Sequence, residues 1–385
     1  MKQKKIVYIQ YTNPACYPPL QHSSWIFAKA GWKVLFLGNG SMSESNAFEF
    51  PFHENIQVIR WMYKKPGIVQ KFHFLFFCIW SALYACWWGG KWAYCSDPYS
   101  CLPAIICQKI FGLKIVYHEH DSPTLNSKST ALFNRILLKC RAIIGRQAEI
   151  VVFPNRERAN IFQTETGRRR PIEIVRNVPA LSEVALIPST KSENEILFYH
   201  GSLNKYRLPT TILDALVHLD PAITLRFAGY DTTSNKYLEW FMKEAKVRGL
   251  ENRVRYVGGF FSRQNLLIEC SKATIGLALM PIDLDDINMR YMTGASNKPF
   301  DYLACGLTLI VSNLPDWEIF FVDRGIALSC NPDCGKSIAE AVNKAIVLRA
   351  KSNIYSENGE KLLCSEWNYE YQFRNVYDIV TKSCC

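Results

Sequence analysis

Several devices that assign a function at sight are missing from this chain. The turn after its first strand-like run, residues 12–23, contains no glycine. The GxGxxG fingerprint of dinucleotide binding is therefore absent, and hydride transfer loses its main support. No CxxC pair exists, which removes zinc ribbons and dithiol redox motifs. The N-terminus, MKQKKIVYIQY, has no apolar signal core and runs straight into a strand, so the expected location is cytoplasmic. Low-complexity tracts and short-period repeats are also lacking, against disorder, fibres and solenoids. Basic residues outnumber acidic ones to a formal net charge of +11. Apart from Arg168, Arg169 and Arg170 they are scattered, so no nucleic-acid stripe stands out and no nucleic acid is expected as a partner. The acidic run IDLDDI, residues 282–287, reads as a solvated loop rather than a magnesium site, and no metal is expected.

What is present is a folded α/β chain. Its 385 residues are 49% apolar and 21% charged, enough for two domains of near-equal size. The 14 cysteines lie mostly inside apolar runs and read as buried thiols of a reducing compartment. Cys384 and Cys385 read as a free tail rather than a lipid anchor. Buried-strand runs alternate with helical ones from residue 5 to 175, then again from 195, on either side of the polar stretch LSEVALIPSTKSENE, an interdomain linker by composition. The most apolar segment, FHFLFFCIWSALYACWW at 72–88, is short for a bilayer span and leads directly into a strand. It reads as a crossover helix packed on the sheet. Its aromatic excess and its flanks, Lys64, Lys65, Lys71 and Lys91, also suit a helix resting on anionic lipid.

Three places carry candidate chemistry. In GASNKPFDYLACGLTLIVSN, residues 294–313, the small residues before Asn297 lead into a helix whose free N–H groups and Lys298 suit an anion. Asp301, one turn in, suits the hydroxyls of a ribose; a helix end that Asn and Asp merely cap fits this stretch equally well. In GSLNKYR at 201–207 a glycine turn feeds a second helix, with Lys205 and Arg207 placed for a diphosphate. In YHEHDSP at 117–123, His118 and His120 face one side of an extended chain. A metal site would need more ligands than are in hand, whereas one histidine bonding a substrate hydroxyl needs none.

With VRNVP at 175–179, VGGFFSRQNLLIECSKATIGLAL at 257–279 and the tail EWNYEYQFRNVYDIV at 366–380, these segments make the chain resemble the retaining glycosyltransferases of family 4. That resemblance, which runs through nearly the whole chain, implies the GT-B fold. It comprises two Rossmann-like doubly wound parallel-sheet domains facing a cleft, with a C-terminal helix crossing back to the first. The corresponding bounds are 1–185 for the N-terminal acceptor-side domain, 186–366 for the nucleotide-sugar-binding domain and 367–385 for the final helix. The implied reaction moves a sugar from a nucleotide-sugar donor, a co-substrate rather than a cofactor, to a glycan or lipid-linked acceptor in cell-surface polysaccharide or glycolipid synthesis. Lys205 and Arg207 match the positions that grip the donor diphosphate, and His120 matches the histidine beside the reacting sugar carbon. Gly201, Ser202, Ser296, Asn297, Lys298 and Asp301 fall in the nucleotide-binding segments. The first acid of the family's acid pair is replaced by Thr293, with Asp283, Asp285 or Asp286 as substitutes.

In a retaining transfer the leaving phosphate can itself serve as base, which fits the lack of paired glycosidase-type carboxylates. Two alternatives remain on the same fold: a nucleotide-sugar epimerase, and a noncatalytic nucleotide-sugar-binding protein.

Overall fold

The computed structural model describes residues 3–383 apart from 43–45, 47, 124–131, 189–191, 193, 232, 234–235, 261, 283–284 and 353. Asp283, Cys384 and Cys385 lie outside the described residues. In chain order the first elements are β1 (Lys5–Gln10), α1 (Pro18–Lys29), β2 (Lys33–Asn39), β3 (Ile56–Trp61), α2 (Ile68–Trp88), β4 (Trp92–Ser96), α3 (Cys101–Lys109), β5 (Lys114–His118), α4 (Leu132–Gln147), β6 (Ile150–Phe153), α5 (Arg156–Thr166) and β7 (Glu173–Ile174). There follow α6 (Leu181–Val184), β8 (Ile196–Leu203), α7 (Thr211–His218), β9 (Thr224–Asp231), α8 (Lys236–Val247), β10 (Val254–Tyr256), α9 (Arg263–Ser271), β11 (Ile275–Ala278) and α10 (Ile287–Arg290). The chain closes with α11 (Lys298–Ala304), β12 (Thr308–Ser312), α12 (Pro315–Trp317), β13 (Ala327–Cys330), α13 (Gly335–Lys351), α14 (Ile354–Ser365) and α15 (Tyr369–Lys382).

Two compact units result. One joins Met1–Asn177, Asp286–Ala295 and Tyr369–Cys385; the other joins Val178–Asp285 and Ser296–Asn368. The expected bounds place 286–295 with the second half of the chain, but here this segment groups with the first. The cause is a set of side-chain bonds to its backbone. The Arg158 guanidinium donates to the carbonyls of Asn288 (2.6 Å) and Tyr291 (2.9 Å), and the Asn155 amide donates to those of Tyr291 (3.0 Å) and Thr293 (2.9 Å). Asn288 and the Ser122 backbone exchange two more bonds at 2.8 Å.

The first unit is built on a parallel sheet in the order β3-β2-β1-β4-β5-β6-β7. Strands β1, β4, β5 and β6 are almost wholly buried, so they read as unbroken apolar runs. β3 is a half-exposed edge, and sequence patterning gives no element there. α2 begins at Ile68, after Gly67, and runs 21 residues to a left-handed Gly89. Its inner face, including Phe74, Phe77 and Cys78, is buried in the core with Leu35, Tyr11 and Ala104. Of the arginine cluster, Arg168 serves the fold: it is buried and donates to the carbonyls of Gly145 and Ala148 at the end of α4.

The second unit carries the parallel order β10-β9-β8-β11-β12-β13. The linker stretch is not wholly irregular. It opens with α6, and Glu183 there accepts from Arg263 Nε at 2.7 Å. Between the central strands β8 and β11 the ladder pairs only Ile275 and Gly276 with Leu197 and Phe198. Beyond that point Tyr302, from α11, inserts its hydroxyl. It accepts from the His200 amide at 3.1 Å and donates to the Leu277 carbonyl at 3.3 Å. The ring lies over Gly276, where a Cβ would stand 2.3 Å from Tyr302 Cγ. Glycine is thus required by close approach, and the contact seats α11 on the sheet.

Gly276→Ala is expected to cost about 1–3 kcal/mol through overpacking, read as a lower urea midpoint. A variant as stable as the parent would show that α11 is not held by this contact.

Candidate functional site

Each sheet reverses its strand order at one place, β1/β4 in the first unit and β8/β11 in the second, and open α/β sheets bind ligands outside the strand ends there. Polar groups collect at both points. In the second unit β8 passes near its end through Gly201, at φ 122°, opposite Gly229, whose own Cβ would collide with the Gly201 carbonyl. The Tyr199 hydroxyl donates to the Ser202 carbonyl at 2.6 Å. Asn204 Oδ1 accepts from the amides of Tyr206 and Arg207, both at 3.1 Å, and so shapes the turn that carries Lys205 and Arg207.

Lys298, in the first turn of α11, is buried with its ammonium 4.9 Å from the Tyr199 ring centroid and close to Gly201. Among the described residues no acid pairs with Lys205, Arg207 or Lys298; Lys205 lies over the Tyr206 ring. Burial, and next the Arg207 charge, push the Lys298 ammonium well below its usual pKa. His200 is lowered by burial, Lys298 and Arg263. Three basic side chains with no acidic partner among the described residues, Lys205, Arg207 and Lys298, are thus gathered near the end of β8. Ser296 is buried and Asn297 half-buried beside it, and the Asn297 side chain makes no capping bond.

Asp301 has a different setting. It is fully buried and grips Arg263 through both oxygens, at 2.5 and 3.1 Å, with His200 Nε2 at 3.4 Å. Arg263 in turn holds Glu183. The sequence pattern offered no sign of Arg263, because a helix-initial arginine there looks like any solvated one.

In the first unit Gln10, Asp97, His118 and His120 meet at the ends of β1, β4 and β5. Gln10 Nε2 donates to Asp97 Oδ2 at 3.2 Å, and the His120 amide to Asp97 Oδ1 at 2.8 Å. Asp97 itself adopts φ 64° and ψ 166°, a region that side-chain-bearing residues rarely enter. The rings of His118 and His120 are 3.9 Å apart, and His118 Nδ1 is bonded to the Tyr94 hydroxyl at 2.7 Å. The Tyr17 ring lies near His120, 5.2 Å between centroids and tilted by 41°. Both Nε2 atoms are buried and unpartnered among the described residues. Burial and the Arg158 charge push His120 down to about 3, so its imidazole is neutral near pH 7. Burial, with Asp121 nearby, pushes Asp97 up to about 7. Among the described residues no group of three or more His, Cys, Asp or Glu side chains could hold a metal.

Thr293 is buried and belongs to the same unit, its carbonyl held by Asn155. Asp286 caps α10, accepting from Asn288 and Met289, and Asp285 is exposed. Asp97, Gln10, Tyr17 and Arg158 escaped sequence reasoning; only the position of Asp97 just after a buried strand could have pointed to it.

These shifts have opposite signs in a pH scan. The unfolded chain protonates His120 near 6.5 and the folded one near 3, so this stability is lost as pH falls through that window. Folded Asp97 keeps its proton to about 7, against 3.8 in the unfolded chain, so it costs stability as pH rises between those values. His120→Asn should flatten the fall in melting temperature from pH 7 to 5, and Asp97→Asn should gain on the parent at pH 8 relative to pH 5. Curves parallel to the parent's would refute both assignments.

No protein-family model and no curated protein matches the chain. Solved structures do. Sucrose-phosphate synthase from Thermosynechococcus elongatus superposes with a TM-score of 0.71 at 14% identity over 99% of both chains. Anabaena HepE in complex with UDP and glucose gives 0.73 at 14% identity, covering 99% of this chain and 100% of its own. WaaG, a glycosyltransferase involved in lipopolysaccharide biosynthesis, gives 0.67 at 13% identity over 98% of this chain and 99% of its own. Similarity at such low identity is one of fold, and the fold of this chain is the GT-B fold, with two α/β domains on parallel sheets of seven and six strands.

Proposed function

We propose that this protein is a retaining glycosyltransferase of family 4, transferring a sugar from a nucleotide-sugar donor to a glycan or lipid-linked acceptor in cell-surface polysaccharide or glycolipid assembly. The observation that carries the reading is the trio Lys205, Arg207 and Lys298 around the end of β8, which have no acidic partner among the described residues. A buried ammonium without a counterion is costly. A nucleoside diphosphate supplies the missing charge, and similar folds hold UDP or UDP-glucose.

The chemistry follows from the same charges. Breaking the glycosyl–phosphate bond builds negative charge on the diphosphate, and fixed cations in a poorly solvated site stabilise that charge as it forms. Lys205, Arg207 and Lys298 serve as the countercharge, so the reaction is proposed to be metal-independent. Ser202, Ser296 and Asn297 provide neutral hydrogen-bonding groups around the nucleotide. Asp301, buried and held through both oxygens by Arg263, is assigned to the ribose hydroxyls on the resemblance alone. His120, neutral near pH 7, can bond a sugar hydroxyl without placing positive charge beside the cationic sugar carbon. Thr293 offers a hydroxyl where the family has a carboxylate, which favours a different contact with the donor sugar. The acceptor hydroxyl attacks the face that the diphosphate leaves, and its proton goes to the departing phosphate.

Alanine at Lys205 and Arg207 together should lower kcat/KM by about 10²-fold or more, as loss of oxyanion-stabilising groups does, with an unchanged melting temperature. Undiminished transfer would sink the assignment, and donor conversion without acceptor would make the protein an epimerase. Diphosphate binding favours protonated Lys298, so affinity for UDP or GDP should fall as pH rises, and Lys298→Met should remove that slope in calorimetry. A slope that survives the substitution assigns the proton elsewhere.

A further inference from the structure

α2 has two apolar faces. The inner one is packed on the sheet; the outer one carries Ile68, Phe72, Phe76, Ile79, Leu83 and Trp87, each more than half exposed. Their spacing of three and four residues makes one continuous stripe along the helix. With its inner face in the core, this helix cannot cross a bilayer while the unit is folded. An apolar stripe of this length is beyond the scattered exposed residues of an ordinary surface.

The charge around the stripe is of one sign. No Asp or Glu stands between Glu54 and Asp97. α2 packs on α3 and α3 on α4, and none of the three helices contains an acidic residue. Lys64, Lys65 and Lys71 stand at the N-terminal end of α2 and Lys91 beyond its C-terminus, all exposed. A second copy docked through this face would bring like-charged rims together with no acid to offset them. An anionic bilayer meets both demands, with acyl chains for the stripe and headgroups for the lysines.

We infer that the outer face of α2 is a membrane-docking surface that seats the protein in the plane of an anionic lipid leaflet. This inference does not rest on the catalytic reading, and its test needs no activity. The full chain is sedimented with vesicles of phosphatidylcholine alone or mixed with phosphatidylglycerol. The expected result is partitioning onto the mixed vesicles, weakened at least tenfold by Phe76→Glu with Leu83→Glu, and weakened by charge reversal at Lys64, Lys65 and Lys71 or by 0.5 M salt, about three times the physiological level. All these side chains are exposed, and an unchanged melting temperature verifies folding. Absence of binding to anionic vesicles at low salt overturns the inference, as does equal binding by the glutamate variant. It also fails if sedimentation equilibrium shows a dimer that the glutamate variant dissociates while vesicle binding is unchanged, for then a second copy covers the stripe.

Discussion

Every strand pairing in both units is parallel, and that constraint organises the molecule. A parallel sheet needs a crossover after each strand, so both faces are covered by helices and all carboxyl ends fall on one edge. Polar side chains have no place within such strands and are displaced to that edge. Where the strand order reverses, two neighbouring crossovers leave on opposite faces and the edge opens. Gln10 and Asp97 occupy that opening in the first unit, and Gly201 with Lys298 occupies it in the second.

Within the second unit the treatment of charge separates framework from site. Arg263, Asp301 and Glu183 form a chain in which each charge has a partner, so its burial is self-consistent. Lys298 stands one turn from Asp301 on the same short helix, yet it faces Tyr199 and the positive field of Arg207. The same helix therefore completes one ion network and leaves another open. Tyr302, the residue after Asp301, fixes the helix through Gly276. The positions of Lys298 and Asp301 thus depend on a packing contact that carries no charge.

Much of this was legible in the sequence, and the limits have physical causes. Buried strands such as VYI at 7–9 and LIV at 309–311 announce themselves, because burial on both faces leaves an unbroken apolar run. β3 did not, since an exposed edge has no such demand. The Lys205–Arg207 turn was visible because glycine and paired cations are local signals. The partners of Asp301 were not, because Arg263 comes from a helix 38 positions earlier and nothing in its own neighbourhood marks it. The same holds for Asp97, whose environment is made by Gln10 at the end of β1 and by His120 just beyond β5.

Thr293 shows where reading by spacing meets its limit. The eight positions from Thr293 to Asp301 look like one motif, but the chain passes from the first unit to the second between Ala295 and Ser296. Arg158 and Asn155 hold the backbone on one side of that passage, and Tyr302 and Arg263 hold α11 on the other. Gly294, at φ 72° and crowded by the Pro154 carbonyl and Arg176, makes the turn just before the passage. Sequence separation here therefore measures a covalent strap with both ends tied. A residue at 293 is placed by Asn155 rather than by the helix that follows it, so a threonine there can be accommodated without any change in how Lys298 and Asp301 are presented.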